Sequence, residues 1–364
     1  VVPNTGGRKG IRPAIAAGMV AGDPKRELQV IARLSEGKSD EMDRFLETVQ
    51  INVTCGASDH KLDIDLTAYV GEHSARVRIV DQHTNIVYMA HDGEILRDEP
   101  ITVRTDEPTT NKSCLNLKDI LEYAATTDLT EVKPLLLRQI ECNSAIAEEG
   151  LNGVWGAQIG RILLDDYGDD VKQRAKAYAA AGSDARMSGC EKPVVILSGS
   201  GNQGITACMP VVVYARHIGA SEEQLCRALL VSDLITVHQK SGIGRLSAYC
   251  GAISAGVGAG AGICYLLGGD ETAVAHTVVN AVAILSGTVC DGAKPSCAAK
   301  IAAAVDAGIL GYHMYLHHRE FHRGEGIVAD SADATIANVG VLASQGMRQT
   351  DSTILNIMQR GDCL

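Results

Sequence analysis

Gly251-Ala252-Ile253-Ser254-Ala255-Gly256-Val257-Gly258-Ala259-Gly260-Ala261-Gly262-Ile263-Cys264-Tyr265-Leu266-Leu267-Gly268-Gly269 is the stretch on which the fold turns. It carries no charge, and a second uncharged run, Ala273 to Val289, follows closely. Both have the length of a membrane span. Yet both are rich in Gly, Ala, Ser and Thr, the second contains His276 and Asn280, and neither has a Trp/Tyr belt or flanking Lys/Arg clusters. Small residues at close spacing also let helices approach tightly inside a water-soluble protein, where burial supplies the stability. The run is therefore read as the buried central helix of a helical domain, with no membrane partner.

Outward from this helix, Leu117–Thr126, Val132–Ala147, Val171–Ala181, Ser221–Lys240 and Val339–Arg360 repeat apolar residues three and four apart, the helical period. Before residue 112 the pattern changes. Gln29–Leu34 and Asp40–Thr48 read as helices, but Leu62–Val70 and Ser74–Val80 alternate with period two around the turn Gly71-Glu72-His73. Asn85–Ala90 and the turn His91-Asp92-Gly93 continue the same antiparallel sheet. Asp98 to Ser113 is polar and aperiodic, so the boundary falls there. The expected class is α+β: a small domain, residues 1–112, with an antiparallel sheet, then a large all-helical domain, residues 113–364.

The chain has 364 residues, 46% hydrophobic and 21% charged, enough to bury a substantial core. A formal charge of -11 argues against nucleic acid, which selects basic patches, and leaves small molecules as the expected partners. Eleven cysteines with neither a signal peptide nor a regular disulfide framework fit a reducing cytoplasm. A homodimer is allowed for. The opening Val1-Val2-Pro3 lacks an initiator Met, and an upstream segment is expected to be missing.

A lone Cys in an Ala-rich helix is usually a small hydrophobe, which accounts for Cys208, Cys226 and Cys264, and by extension Cys55, Cys114, Cys142 and Cys190; Cys363 sits in a terminal tail. Cys290-Asp291-Gly292-Ala293-Lys294-Pro295-Ser296-Cys297 differs, because two thiols bracket a polar, turn-forming break between apolar runs. With Cys250 these make three ligands for an iron-sulfur cluster. A cubane on three thiolates keeps one iron open as a Lewis acid. Zinc would call for a fourth ligand and tighter Cys-x-x-Cys pairs. Spacing alone leaves cluster, zinc and plain core roles open.

Ser198-Gly199-Ser200-Gly201-Asn202-Gln203-Gly204 follows the apolar run Val194–Leu197 and precedes a helix expected from Ile205. Such a loop brings backbone N–H groups and a helix N-terminus to a carboxylate or phosphate, or simply turns between buried elements. It has neither the Lys of a P-loop nor dinucleotide spacing. His83-Thr84-Asn85 begins a strand with three polar side chains, and Ser183-Asp184-Ala185-Arg186-Met187 offers an Arg suited to a carboxylate. By pattern alone both are routine structural features, the latter an Asp/Arg pair at a loop. Trp155, in Gly153-Val154-Trp155-Gly156, is expected to pack between domains.

Taken together and in this order, His83-Thr84-Asn85-Ile86-Val87, Ser183–Met187, Ser198–Ile205 and Cys290–Cys297 resemble the L-cysteine desulfidase family, across essentially the whole chain. That family is similar in its helical domain to the alpha part of the iron-sulfur L-serine dehydratases. The resemblance implies an oxygen-sensitive 4Fe-4S cluster on Cys250, Cys290 and Cys297 with one open iron, and no pyridoxal phosphate (PLP). It implies a lyase that eliminates sulfide from L-cysteine to give pyruvate and ammonia. Ser198, Gly199, Ser200, Gly201, Asn202, Gln203 and Gly204 would cradle the substrate carboxylate, with His83, Thr84, Asn85 and Arg186 lining the pocket. His83 is a candidate base, since imidazole titrates near neutrality. Lys294 would tune cluster charge or be merely solvated; His238 and Arg245 would belong to the pocket or to a helix cap.

One departure from the family stands out. Its N-terminal Pro-Ala-Leu-Gly-Cys-Thr-Glu-Pro type motif, with a Cys that acts in proton transfer, has no counterpart here. Pro3-Asn4-Thr5-Gly6 resembles a Pro-Gly-Thr-Gly element that lies downstream of that motif. The alternatives to desulfidation are an L-serine dehydratase on the same site and a non-catalytic small-molecule-binding homologue.

Overall fold

The computed structural model describes residues 1–364 apart from 32, 33, 35, 55, 57, 59, 61, 102–110, 245, 246 and 361–364. The class is α+β: mostly helical, with one four-stranded antiparallel sheet of order β1-β2-β3-β4. The chain divides into two compact units, Ile11–Asn111 on one hand and Val1–Gly10 with Lys112–Leu364 on the other.

The first unit holds helices α1 (Ile11–Ala21) and α2 (Ser39–Thr48) and strands β1 (Asp63–Val70), β2 (His73–Val80), β3 (Ile86–His91) and β4 (Glu94–Asp98). Two-residue turns join the outer pairs. Gly71 adopts φ +60 between Val70 and His73, which pair directly; Asp92 and Gly93 both take positive φ between His91 and Glu94, the primed geometry that suits strand twist. Alternation puts Asp63 and Asp65 on one face, where they pair with Arg78 and Arg76 at 2.6 Å. Two expectations change here. Helix α1 was not legible behind its Gly-rich lead-in, and the helix read over 29–34 is replaced by a 3-10 segment, Pro24–Gln29, with residues 32 and 33 outside the described set.

The second unit contains α3 (Leu117–Thr126), α4 (Lys133–Asn152), α5 (Ile159–Tyr167), α6 (Val171–Met187), α7 (Gly201–Ile218), α8 (Glu222–Ile243), α9 (Gly251–Leu266), α10 (Glu271–Ile284), α11 (Cys297–Leu316), α12 (Ala332–Val341) and α13 (Arg348–Arg360). Side-chain caps fix several starts: Asp170 for α6, Asp270 for α10, Ser331 for α12, and a full capping box of Ser221 and Gln224 for α8. Helix α9 is the centre, buried from Ala252 through Cys264 and packed on α7, α8, α10 and α11. Its small residues are what allow this: a Cβ at Gly260 would lie 2.6 Å from the Gly308 carbonyl oxygen, and one at Gly258 would lie 2.1 Å from Thr236 Oγ1. Among the described residues no helix is long and apolar enough to cross a membrane.

Other expectations are corrected in this unit. The single helix read over 339–360 breaks at a π turn, Leu342–Gly346, between α12 and α13. Helix α6 runs on to Met187, so Asp184 and Arg186 sit in a helix rather than a loop, and they are not paired. Trp155 packs against the core of the helical unit, with its indole N–H donating to Glu149 Oε1 at 3.1 Å. Cys208, Cys226 and Cys264 are buried as expected, but Cys114 is exposed and Cys142 and Cys190 are only half-buried. Cys55 and Cys363 lie outside the described residues.

Candidate thiol and anion site

The residues just before α9 and α11 build the site. Tyr249 and Val289 form an isolated antiparallel bridge, with Cys250 N–H donating to Thr288 O at 2.9 Å and Cys290 N–H to Ala248 O at 2.6 Å. This bridge sets Cys250 and Cys290 side by side. Their thiols share a hydrogen bond that holds Cys290 as the thiolate, its pKa lowered to about 6 despite burial, with Lys300 and Lys240 near enough to help. Cys250 is correspondingly pushed up, because it keeps the proton it donates to Cys290 and because the site is buried. Cys297, the first residue of α11, lies close enough to both Cys250 and Arg186 to affect their charge, while its Sγ is 3.7 Å from Gly292 O. Cys250, Cys290 and Cys297 form no disulfide among the described residues, and there no three His, Cys, Asp or Glu side chains close on a single ion.

The loop between Cys290 and Cys297 is strapped by charge. Lys294 and Lys300 both pair with Asp291, the latter at 2.7 Å, and Lys300 also donates to Val289 O at 2.7 Å. Lys294 is thus engaged in an ion pair rather than merely solvated.

Arg186 and the Gly-rich loop converge here too. Leu197 and Ser200 exchange backbone hydrogen bonds of 3.1 and 3.0 Å around Ser198 and Gly199, both at positive φ, and α7 starts at once at Gly201, four residues earlier than expected. Ser200 does not cap the helix with its side chain, which leaves first-turn N–H groups for a ligand. Arg186 lies across this turn: a Cβ at Gly201 would be 2.3 Å from its Nε, and its Nη1 donates to Asn202 Oδ1 at 3.2 Å. Among the described residues it has no carboxylate partner, and burial pulls its pKa down while Cys297 opposes the fall. Gln203 lies over the start of α9, where a Cβ at Gly251 would come within 2.5 Å of Gln203 Nε2. One locus therefore gathers Cys250, Cys290, Cys297, Arg186 and the 198–204 turn.

The other sequence-selected residues have the following places. Asp184 is fully buried and accepts from the backbone N–H groups of Ala157 at 3.2 Å and Ile159 at 2.7 Å, which anchors α5. His238 Nε2 meets Asp333 Oδ1 at 2.8 Å and so ties α8 to α12. Arg245 lies outside the described residues. His83, Thr84 and Asn85 belong to the sheet unit, in the turn between β2 and β3 rather than in a strand; Asn85 Nδ2 donates to Val80 O at 2.9 Å. Tyr249, Gln239, Lys240, Ser254 and Lys300 were not singled out from sequence. Their only signal was polarity inside otherwise apolar helical runs.

Three cysteines, a buried guanidinium that among the described residues meets an amide oxygen but no carboxylate, and the N-termini of α7, α9 and α11 come together in the helical unit. The chain belongs to the serine dehydratase alpha chain family, whose model matches residues 25–356. It is similar to a UPF0597 protein of Desulfitobacterium hafniense (strain Y51), 52% identical over 98% of this chain and 83% of that protein. UPF0597 proteins of Lachnoclostridium phytofermentans and Treponema denticola are 47% and 41% identical, covering 98% of this chain and 86% and 84% of their own lengths. Membership relates the chain to a lyase, at the broader level of the motif resemblance; neither description names L-cysteine.

Proposed function

We propose that this protein is an iron-sulfur lyase that eliminates the β-substituent of a small L-amino acid, with L-cysteine as substrate and Cys250, Cys290 and Cys297 holding a 4Fe-4S cluster. The convergence of those three thiols with Arg186 is the observation that carries it. The donor set suits such a cluster, since the paired thiols already favour a thiolate and the surrounding charge, Lys240, Lys300 and two helix N-termini, suits an anionic group. When bound, the cluster supplies an open iron acting as a Lewis acid.

The protein's own residues bind and orient. Arg186 and the N–H groups at the start of α7 hold the substrate carboxylate by charge-assisted hydrogen bonds, in surroundings where burial strengthens them. Ser198 Oγ, buried and without a partner among the described residues, adds a donor on the same turn. Fixing the carboxylate there sets the Cα–H and Cβ–S bonds relative to the thiol site. Loss of the α proton and departure of sulfide form the C=C bond of 2-aminoacrylate, which tautomerises and takes up water to give pyruvate and ammonium.

Anaerobic assay of the protein, reconstituted with iron and sulfide, on L-cysteine and L-serine in parallel tests this. The expected result is sulfide and pyruvate in equal amounts from L-cysteine. Pyruvate from L-serine alone, which the family description favours as a second reading, would reassign the substrate. A loaded protein inert on both would refute the lyase.

A further inference from the structure

The polar side chains around the thiols pose a physical problem that the substrate does not solve. Tyr249 OH, Ser254 Oγ, Gln203 Oε1 and both amide atoms of Gln239 are buried without a hydrogen-bond partner among the described residues. Ser254 and Gln239 are 0% exposed, Tyr249 1% and Gln203 5%. Leaving such a group unpaired is costly, so four of them buried in the core require a counterpart.

Their positions agree on where that counterpart sits. Tyr249 precedes Cys250 and its phenol lies within electrostatic reach of that thiol. Ser254 is one helical turn beyond Cys250, on the same side of α9. Gln203 presses on Gly251. Gln239 is placed by helix register: Gly262 meets Ala228 and Ser232, and Gly258 meets Ser232 and Thr236, so the next inward residue of α8 lies level with Ser254 and Ala255.

The sign of the charge identifies the counterpart. Lys240 and Lys300 are near Cys290, the N-termini of α9 and α11 open at the site, and Asp291 is matched by Lys294 and Lys300. A cationic amine is disfavoured there and an anionic acceptor is favoured. Each of the four side chains can present a donor: a phenol, a hydroxyl and two amides, whose oxygen and nitrogen ends exchange by a flip.

We propose that Tyr249, Ser254, Gln203 and Gln239 are positioning residues that donate hydrogen bonds to the sulfurs of the iron-sulfur group and thereby set its reduction potential. The inference rests on the cluster assignment above. Donors to cluster sulfur favour the more negative reduced state, so removing one lowers the potential.

The test uses the full chain reconstituted anaerobically, with Tyr249→Phe, Ser254→Ala and Gln239→Met variants. Iron and acid-labile sulfide are counted first, then the midpoint potential is read by electron paramagnetic resonance during redox titration. Expected are parent-like iron and sulfide contents with a lower potential in every variant. Before loading, thermal unfolding should show Tyr249→Phe and Ser254→Ala at least as stable as the parent, because each deletes an unpaired buried atom. Loaded variants with the parent potential overturn the inference and leave the cluster intact. A loss of apo stability in both overturns it as well, since the side chains then have partners in the protein. A parent that takes up no iron and sulfide removes the assignment on which both stand.

Discussion

Arg186→Met separates function from stability. Arg186 is buried beside the start of α7, its described partner is the Asn202 side-chain oxygen at 3.2 Å, and no carboxylate faces it among the described residues. A substrate carboxylate would complete its hydrogen bonds, and such charged bonds are worth about 1.5–3 kcal/mol. Their loss converts to roughly a 10- to 150-fold rise in KM. The same substitution removes a desolvated cation and keeps the apolar stem, so the unfolding temperature should hold or rise, by about 2–4 °C for each kcal/mol regained in a domain of this size. Gly201→Ala should copy the kinetic defect, since its Cβ would stand 2.3 Å from Arg186 Nε. Steady-state kinetics on L-cysteine and L-serine, with thermal unfolding of the same samples, read both effects. An unchanged KM together with a melting temperature lowered as by a core truncation would show that Arg186 is structural and refute the reasoning.

Other outcomes follow from the same packing. Gly260→Val forces a side chain against Gly308, whose carbonyl oxygen would lie 2.6 Å from the new Cβ, and should lower stability to urea by about 1–3 kcal/mol or more. Lys300→Met removes one of the two lysines on Asp291 and the donor to the Val289 carbonyl at 2.7 Å, and should weaken iron retention about 10- to 100-fold, read as iron released to a chelator. Asp233 is raised to about 7 by burial, against the hydrogen bond from Gln139 at 3.0 Å. Because its folded pKa lies above the unfolded value, the folded state holds the proton more tightly, and stability falls as pH rises from about 4 to 7. Asp233→Asn should remove that slope and stabilise the protein at pH 8 by about 1 kcal/mol or more, measured by denaturant unfolding across pH.

The fold was legible where a side-chain period or a turn residue decides it. The β1–β2 hairpin follows from alternation around Gly71, and the central helix from a run of small residues that only close packing explains. Helix ends were legible only in part. Helix α7 begins at Gly201 rather than near Ile205 because its glycines allow Arg186 and the Val195 carbonyl to approach, a tertiary cause that local sequence does not show. Cys290 and Cys297 stood out as a polar break, whereas the buried polar side chains Gln239 and Ser254 were hidden in helical spacing and Gln203 was read only as part of the 198–204 turn. Asp184 and Arg186 illustrate the converse. Two residues apart in sequence, they point to different tasks, one anchoring α5 and one facing α7, which only the helix geometry separates.

Mössbauer spectroscopy of the full chain loaded with iron-57 under anaerobic conditions, before and after L-cysteine, tests the central claim most directly. The account predicts one four-iron cluster per chain, lost in Cys250→Ala, Cys290→Ala and Cys297→Ala, with the signal of a single iron shifting when L-cysteine is added. A cluster retained in all three variants, or four irons that ignore the amino acid, would contradict it.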